Sequence, residues 1–514
     1  MFRIDEYKVF ENISDEKLFE KVIKKYKINK RDIVSINIIR KSVDCRKKDN
    51  IHFSYSFALE LRNEEKYTYL KKYNQPEIKI ENHRDSKYSP IIIGAGPAGL
   101  FCALTMVENG IAPIIVEQGE MVDQRLKTVQ AYKDDASQFN CYSNVQFGEG
   151  GAGTFSDGKL TTNVNSPLIN MVLNYFVKFS APKEILYRSK PHIGTDNLVN
   201  IMKNIREYIQ SKGGRYYFNT RFLDYHKENG LIHVICDCQK FTTDTLVLAV
   251  GHSARNVYEL LKQKEIVLTR KNFALVVRIE HLQKDLNYAQ YGDCKLDLPQ
   301  AEYKLAYHGQ QRDCYSFCMC PGGYVVASNS EKDGIVTNGM SYYNRDNINC
   351  NSALLVNVKT SDFSGDDPLS GMYFQRELEH KAFIFGGNNG NAPIQKVGDF
   401  EEGCTSLSFG KVLPTYLPGV TMCDLNDFLP DFIKDTLKQA LPYFDHKIKG
   451  FNDKDSLLTA IESRSSSPVT IKRNEFMLSS DDQIYPIGEG AGYAGGITTA
   501  AIDGIKAAIR IMSK

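Results

Sequence analysis

The run Gly94, Ala95, Gly96, Pro97, Ala98, Gly99 spaces three glycines as in a loop that receives a pyrophosphate. Gly94 permits a tight turn, Gly96 lets backbone N–H groups approach an anion, and Gly99 lets the following helix lie close on the preceding strand. The anion would sit at the helix N-terminus, where unpaired N–H groups and the positive end of the helix dipole favour negative charge. Glu117 stands roughly 20 residues further on, where such a motif places a carboxylate for ribose. That carboxylate can accept from both ribose hydroxyls and would repel a 2′-phosphate, which argues for an unphosphorylated adenosine.

Other residues could serve the same ligand or its chemistry. Within QFGEGGAGTFSDGKL, residues 146–160, Gly148, Gly150, Gly151 and Gly153 would form a loop whose backbone can approach a flat or phosphorylated molecule closely. Near the C-terminus, GEGAGYAGG begins at Gly488 and Glu489 and ends at Gly495 and Gly496, so a helix starting at Ile497 would bring free amides to a second glycine loop. Arg464 stands among Ser463, Ser465, Ser466 and Ser467, a donor set suited to a carboxylate or phosphate, or else anchors structure. His252 follows Gly251 and is read first as a structural hydrogen-bonding group, with acid–base work as the alternative.

Cys314, Cys318 and Cys320 share one parity on a predicted strand. Same-face neighbours on a strand lie roughly 6.6 Å apart with parallel side chains, near the upper limit of disulfide Cα spacing. A zinc ion there would need further ligands from elsewhere, so packed thiols are expected and no metal site is expected.

Ile91, Ile92 and Ile93 form a short β-branched run before the glycines, and a helix through Leu100, Leu104 and Val107 closes at Asn109 and Gly110. A second strand over residues 113–116 leads to Glu117. Pro167 begins one later helix after Ser166, and another spans about 195–212, ending at Gly213 and Gly214. Asn229 and Gly230 read as a hairpin turn, and the apolar run 245–250 as a buried strand rejoining the first sheet. From about 265 to 455 the pattern changes to longer strands and occasional helices. Strands are predicted at 274–279, 314–319, 324–327 and 353–358, with helices from 368 and over 425–440. A strand at 484–487 and an alanine-rich helix over 497–512 restore the earlier pattern. The helix carries a small-residue face at Ala500, Ala501, Gly504, Ala507 and Ala508.

Before residue 90, Ser14 can cap a helix to about Tyr26; Val34, Ile36 and Ile38 alternate as one strand face, and Phe53, Tyr55, Phe57 and Leu59 as another. Residues 74–89 read as a polar linker. The 514 residues suffice for two to four domains, and a net charge of +2 supplies no global field toward nucleic acid or a membrane surface. The basic runs near residues 21–31 and 41–48 are read as solvated faces, and nucleic acid is not an expected partner. The first ten residues lack the apolar core of a secretory signal, and the uncharged stretch 90–107 fits the strand–turn–helix pattern better than a membrane span. Twelve cysteines without a regular framework point to reduced thiols in a cytoplasm.

These motifs, together with GHSAR at 251–255, FCMCPGG at 317–323 and ESRSSSP at 462–468, resemble the uncharacterised FAD-dependent dehydrogenase family of bacteria, within the glutathione-reductase-like flavoprotein class. The resemblance covers nearly the whole chain. It implies an α/β protein with a Rossmann-like FAD-binding domain built from segments 89–264 and 456–514, an inserted α+β substrate or cap domain at 265–455, and a small N-terminal α/β domain at 1–88. It further implies adenosine ribose on Glu117 with Gln118 and Arg125 nearby, and the last glycine-rich segment beside the ribityl chain and ring. The class usually has Gly-Asp in that segment where this chain has Gly488 and Glu489. The expected FAD contacts are thus Gly94, Gly96, Pro97, Ala98, Gly99, Glu117, Gln118 and Arg125, then Gly150, Gly151, Gly153, Gly251, Gly488, Glu489, Gly495, Gly496 and Ile497.

The chemistry expected is oxidoreduction of an unidentified small molecule by hydride transfer through noncovalent FAD. One complete dinucleotide motif is present, so either NADH or NADPH visits transiently or an organic substrate reduces the flavin directly. A second reading is a non-catalytic flavin-dependent binding or sensing protein whose N-terminal unit engages RNA or a protein. Arg464 and His252 are the catalytic candidates.

Overall fold

The computed structural model describes residues 1–74 and 78–513. Positions 75–77 of the expected linker lie outside the described residues. Its remainder is stitched to the main body: Arg84 reaches Asp244 and the Thr245 hydroxyl, and the His83 amide donates to the Met512 carbonyl at 2.8 Å.

The glycine cradle lies at the centre of a five-stranded sheet ordered Ile484–Pro486, Leu246–Leu248, Ile91–Ile93, Ile114–Val116, Arg215–Tyr217. Every neighbouring pair is parallel, and both faces are covered, one by helices and the other by the strands Phe222–Glu228 and Leu231–Cys236 with the helix Arg255–Gln263, which explains the short, wholly apolar central strands. The helices Pro97–Glu108, Leu168–Lys178, Thr195–Ser211 and Ile497–Met512 contribute to one apolar core against this sheet. The small-residue face of Ile497–Met512 packs on the helix Pro97–Glu108, at a distance only glycine permits.

An antiparallel meander, Phe222–Glu228, Leu231–Cys236 and Lys240–Thr243, leaves this sheet and returns to it. Asn229 and Gly230 form its first turn with φ of 52° and 76°, as the sequence predicts.

The second large unit is a seven-stranded sheet in which Phe273–Leu282 lies between Asn349–Val358 and Leu457–Glu462. The boundary expected at 455/456 therefore needs correction, because Leu457–Glu462 pairs inside the inserted sheet. The chain crosses between the units through Leu268–Arg270 and Val469–Ile471, which pair antiparallel with each other. The predicted helix at 425–440 is also displaced: Pro430 caps a helix spanning Asp431–Lys447.

The N-terminal unit is an antiparallel four-stranded sheet with one helix, Asp15–Lys25, rather than an α/β unit. Val34 is exposed, because the strand Ile33–Asp44 bulges between Ile33 and Ser35 and breaks the simple alternation. Phe2–Val9 is a strand the pattern hides, since a shift between Ile4 and Tyr7, with Glu6 at φ 54°, interrupts its period. Among the described residues no helix is long and apolar enough to cross a membrane.

Candidate functional site

A cavity of about 260 Å³ runs from the glycine cradle to the inserted sheet. Gly94, Gly96, Pro97 and Ala98 line it, followed by Glu117 and Gln118, then Gly151 and Gly153. Gly251, His252, Gly488, Glu489, Gly495, Gly496 and Ile497 complete the predicted residues that reach it, together with Arg464.

Two helices begin at this cavity, Pro97–Glu108 with Gly96 as N-cap and Ile497–Met512 with Gly496 as N-cap, and neither has a side-chain cap. Their first amides are thus left for another acceptor. A Cβ at Gly251, Gly495 or Gly496 would meet nothing within 4 Å, so bare backbone faces the open space. Gly94 has φ of +105°, and a Cβ there would lie 2.4 Å from the Ala249 carbonyl oxygen. Backbone donors at two helix starts, glycines without obstruction and apolar walls fit a flavin dinucleotide.

Glu117 does more than the sequence suggests. Its carboxylate accepts from the backbone N–H of Ala95 at 2.8 Å, Gly119 at 2.9 Å and Gly148 at 3.0 Å, tying three loops together. An ionised carboxylate offers about four acceptor positions, so room for one ribose bond remains where two were expected.

Three expected contacts do not reach the cavity. Arg125 is fully buried, its guanidinium donating to the carbonyls of Asn144, Glu149 and Val145 at 2.8, 2.7 and 3.0 Å. It shapes the 144–149 loop from behind. Gly150 turns inward, donating to the Ala95 carbonyl at 2.8 Å, and a Cβ there would strike the Thr154 hydroxyl. Gly99 permits helix-to-strand contact, a Cβ there falling 2.1 Å from the Gly94 carbonyl oxygen.

Arg464 lines the cavity but is already engaged. Its Nε and Nη2 donate to the two oxygens of Glu379 at 3.0 and 2.8 Å, and its Nη1 donates to the Ser330 hydroxyl. Arg255 grips the same carboxylate at 2.9 and 2.7 Å. Burial pushes the Glu379 carboxyl upward, but Arg255 and Arg464 outweigh it and hold the group well below the usual carboxylate range. The anion expected at Arg464 is therefore Glu379 of the same chain, and the arginine is an anchor.

His252 has Nδ1 3.4 Å from the Glu489 carboxylate, while its buried Nε2 has no hydrogen-bond partner. An orphaned buried nitrogen on a cavity wall is costly unless a ligand or water completes it. Asp503, which sequence reasoning passed over, accepts from the Gly488 amide at 2.8 Å and pairs with Arg473 at 2.7 Å, so it sets the last glycine loop.

Lys159, Phe317, Cys318 and Glu462, which lie in the quoted motifs but are not expected site residues, close the far end of the cavity with Asn338, which no motif contains. Lys159 donates to the Met319 carbonyl, while Glu462 is held by the fully buried Arg278 at 2.6 Å. The strand Asp313–Cys320 bulges between Phe317 and Cys320, with Cys318 at φ 48°. The shared parity expected of its cysteines is therefore broken: Cys318 reaches the cavity and Cys320 is buried. No disulfide forms, and burial pushes the Cys318 thiol up and the Cys320 thiol to about 12.

Residues 272–465 match the family described as FAD-dependent protein, C-terminal domain-like, and residues 6–60 match a domain family of unknown function. The first match and the cavity mark an FAD-dependent flavoprotein. The chain belongs to the same family as a Clostridium beijerinckii protein described as uncharacterized, being 44% identical to it over 513 residues, 97% of this chain and 96% of that one. Among solved structures, CtdE in complex with FAD is similar at 12% identity and a TM-score of 0.33, over 82% of this chain and 83% of that chain. Aklavinone-11 hydroxylase with FAD and aklavinone is similar at 12% identity and a TM-score of 0.34, over 82% and 61%. Overlaps of this size leave family membership to the clostridial relative.

Proposed function

We propose that this chain is an FAD-dependent oxidoreductase that transfers a hydride between a small molecule and noncovalently held FAD. The observation that carries the reading is the convergence of two uncapped helix N-termini, at Gly96 and Gly496, on one glycine-walled cavity. Bound FAD supplies two-electron redox chemistry.

The chain's residues divide the remaining work. Glu117, with Gln118, receives the adenosine ribose, and the amides after Gly96 receive the pyrophosphate. The amides after Gly496 offer donors and a favourable dipole where negative charge develops on reduction. His252 Nε2 is available to bind or move a proton at the cavity wall. The inserted sheet brings Phe317, Cys318 and Asn338 to the far end, where a small-molecule substrate would enter and water would be excluded. The electron donor is either NADH or NADPH visiting transiently or the organic substrate itself.

The test is anaerobic mixing of the purified, FAD-loaded chain with NADH, NADPH and a panel of organic metabolites, followed by flavin absorbance. Bleaching by one reductant and recovery with an acceptor support the reading. A loaded chain that none of them bleaches would count against it.

A further inference from the structure

Outside the cavity, His226, Glu228 and His233 bring one ligand atom each to within 4.8 Å of one another. The hairpin builds this cluster. His226 and Glu228 are two residues apart on the strand Phe222–Glu228 and so share a face. His233, on Leu231–Cys236, is the cross-strand partner of His226. The tight turn at Asn229 and Gly230 fixes that register, and Tyr225, Ile232 and Val234 anchor the hairpin in the core.

The two imidazoles stack with centroids 4.9 Å apart and planes inclined by 18°. His233 Nε2 lies 3.9 Å from the Glu228 carboxylate. Its other nitrogen, Nδ1, lies 3.2 Å from the Thr242 hydroxyl on the third strand, directly across the ladder. Such an outer partner fixes a ring's orientation and leaves the opposite nitrogen for a metal. Ligand atoms about 2.0–2.2 Å from a tetrahedral zinc ion lie roughly 3.4 Å from each other, so small side-chain rotations complete the geometry.

We propose that this cluster binds one divalent transition-metal ion through His226, Glu228 and His233, with water in the fourth position. Two imidazoles and one carboxylate suit Zn²⁺, Co²⁺, Ni²⁺ or Cu²⁺ in preference to Mg²⁺ or Ca²⁺, which prefer oxygen ligands. The cysteines alone give no reason to expect a metal. The usable signal was His-x-Glu on one strand and a histidine across a two-residue turn. The ion would clamp the hairpin, whose base residue Phe222 lines the large cavity.

The experiment is calorimetric titration of ZnCl₂ into the chelator-treated, FAD-loaded full chain, compared with His226→Gln, His233→Gln and the double variant. Twelve thiols contribute any background equally to all four proteins, so the difference isolates the cluster. Full FAD content certifies that each variant is folded. The expected result is one additional ion in the wild type, affinity at least tenfold weaker in each single variant, and loss of that ion in the double variant. Thr242→Val should weaken binding by about tenfold through the outer partner. Equal zinc stoichiometry and affinity in the wild type and the double variant would overturn the proposal.

Discussion

Gly504 lies directly against Ala98: a Cβ built on Gly504 would fall 2.1 Å from the Ala98 carbonyl oxygen. The two helices whose N-termini open on the cavity are thus held at a spacing that one hydrogen atom permits. Gly504→Ala should push them apart, costing about 1–3 kcal/mol as an overpacked core does. Denaturant unfolding and FAD content should fall together. Unchanged stability with full FAD would show that the helices can part freely.

Gly96→Val separates cofactor binding from folding. Gly96 has φ of −78° and its Cβ position is 3.9 Å from the nearest heavy atom, the Gly151 Cα, so a β-carbon fits the backbone. The added methyls would occupy the space proposed for the pyrophosphate. The expected variant is folded by circular dichroism and colourless; a yellow variant with full FAD would refute the placement.

Glu379 should control acid stability. Its folded carboxyl is depressed by Arg255 and Arg464, so its contribution is present above the unfolded value of about 4.3 and is lost as pH falls through the folded value. Glu379→Gln should cost about 3–5 kcal/mol at neutral pH, because two buried guanidinium groups lose the buried carboxylate they share and keep only the partly exposed Glu331 nearby. Its unfolding midpoint should also vary less than that of the wild type below about pH 4. Parallel pH curves for the two proteins would remove Glu379 from that role.

Ile497 is the first residue of its helix and faces the cavity. Ile497→Pro keeps a helix-compatible φ and deletes one amide donor. Taking roughly 0.3–2 kcal/mol for a helix-end effect and about 1.4 kcal/mol per 30 mV for a two-electron couple, the midpoint potential should drop by about 6–43 mV. Spectroelectrochemistry of the FAD-loaded variant decides it, and an unchanged potential assigns no tuning to this amide.

The Cys318→Ser, Cys320→Ser variant should reduce and reoxidise its flavin as the wild type does. The bulge sends one thiol to the cavity and leaves the other in the sheet, and burial disfavours both thiolates. Loss of reoxidation with every acceptor, at normal reduction, would restore a redox pair.

The cradle was legible because its logic is local: Gly94, Gly99 and the helix start at Pro97 act within a few residues of one another. Arg125 and Arg464 were not legible for the opposite reason: neither sequence pattern shows the partner that occupies its guanidinium. The resemblance puts Arg125 near the ribose and the serines around Arg464 suit an anion, but the partners of these guanidinium groups, the 144–149 carbonyls and Glu379, arrive from distant segments. Period-two reasoning failed at Val34 and Cys318, where bulges shift one residue and so exchange faces. Asp503 and Asn338 carried no signal, since neither sits in a motif and both act only through folded proximity.

The paired crossings Leu268–Arg270 and Val469–Ile471 make the whole inserted sheet the tip of a hairpin. Arg270 and Val469 are ladder partners, so residues 271–468 leave and return at neighbouring points on the cofactor unit. A loop closed in this way gains little further closure cost as it lengthens. Such an attachment behaves as a socket: a lineage could exchange one substrate-facing module for another while the parallel sheet beneath kept its strand order and its grip on the nucleotide.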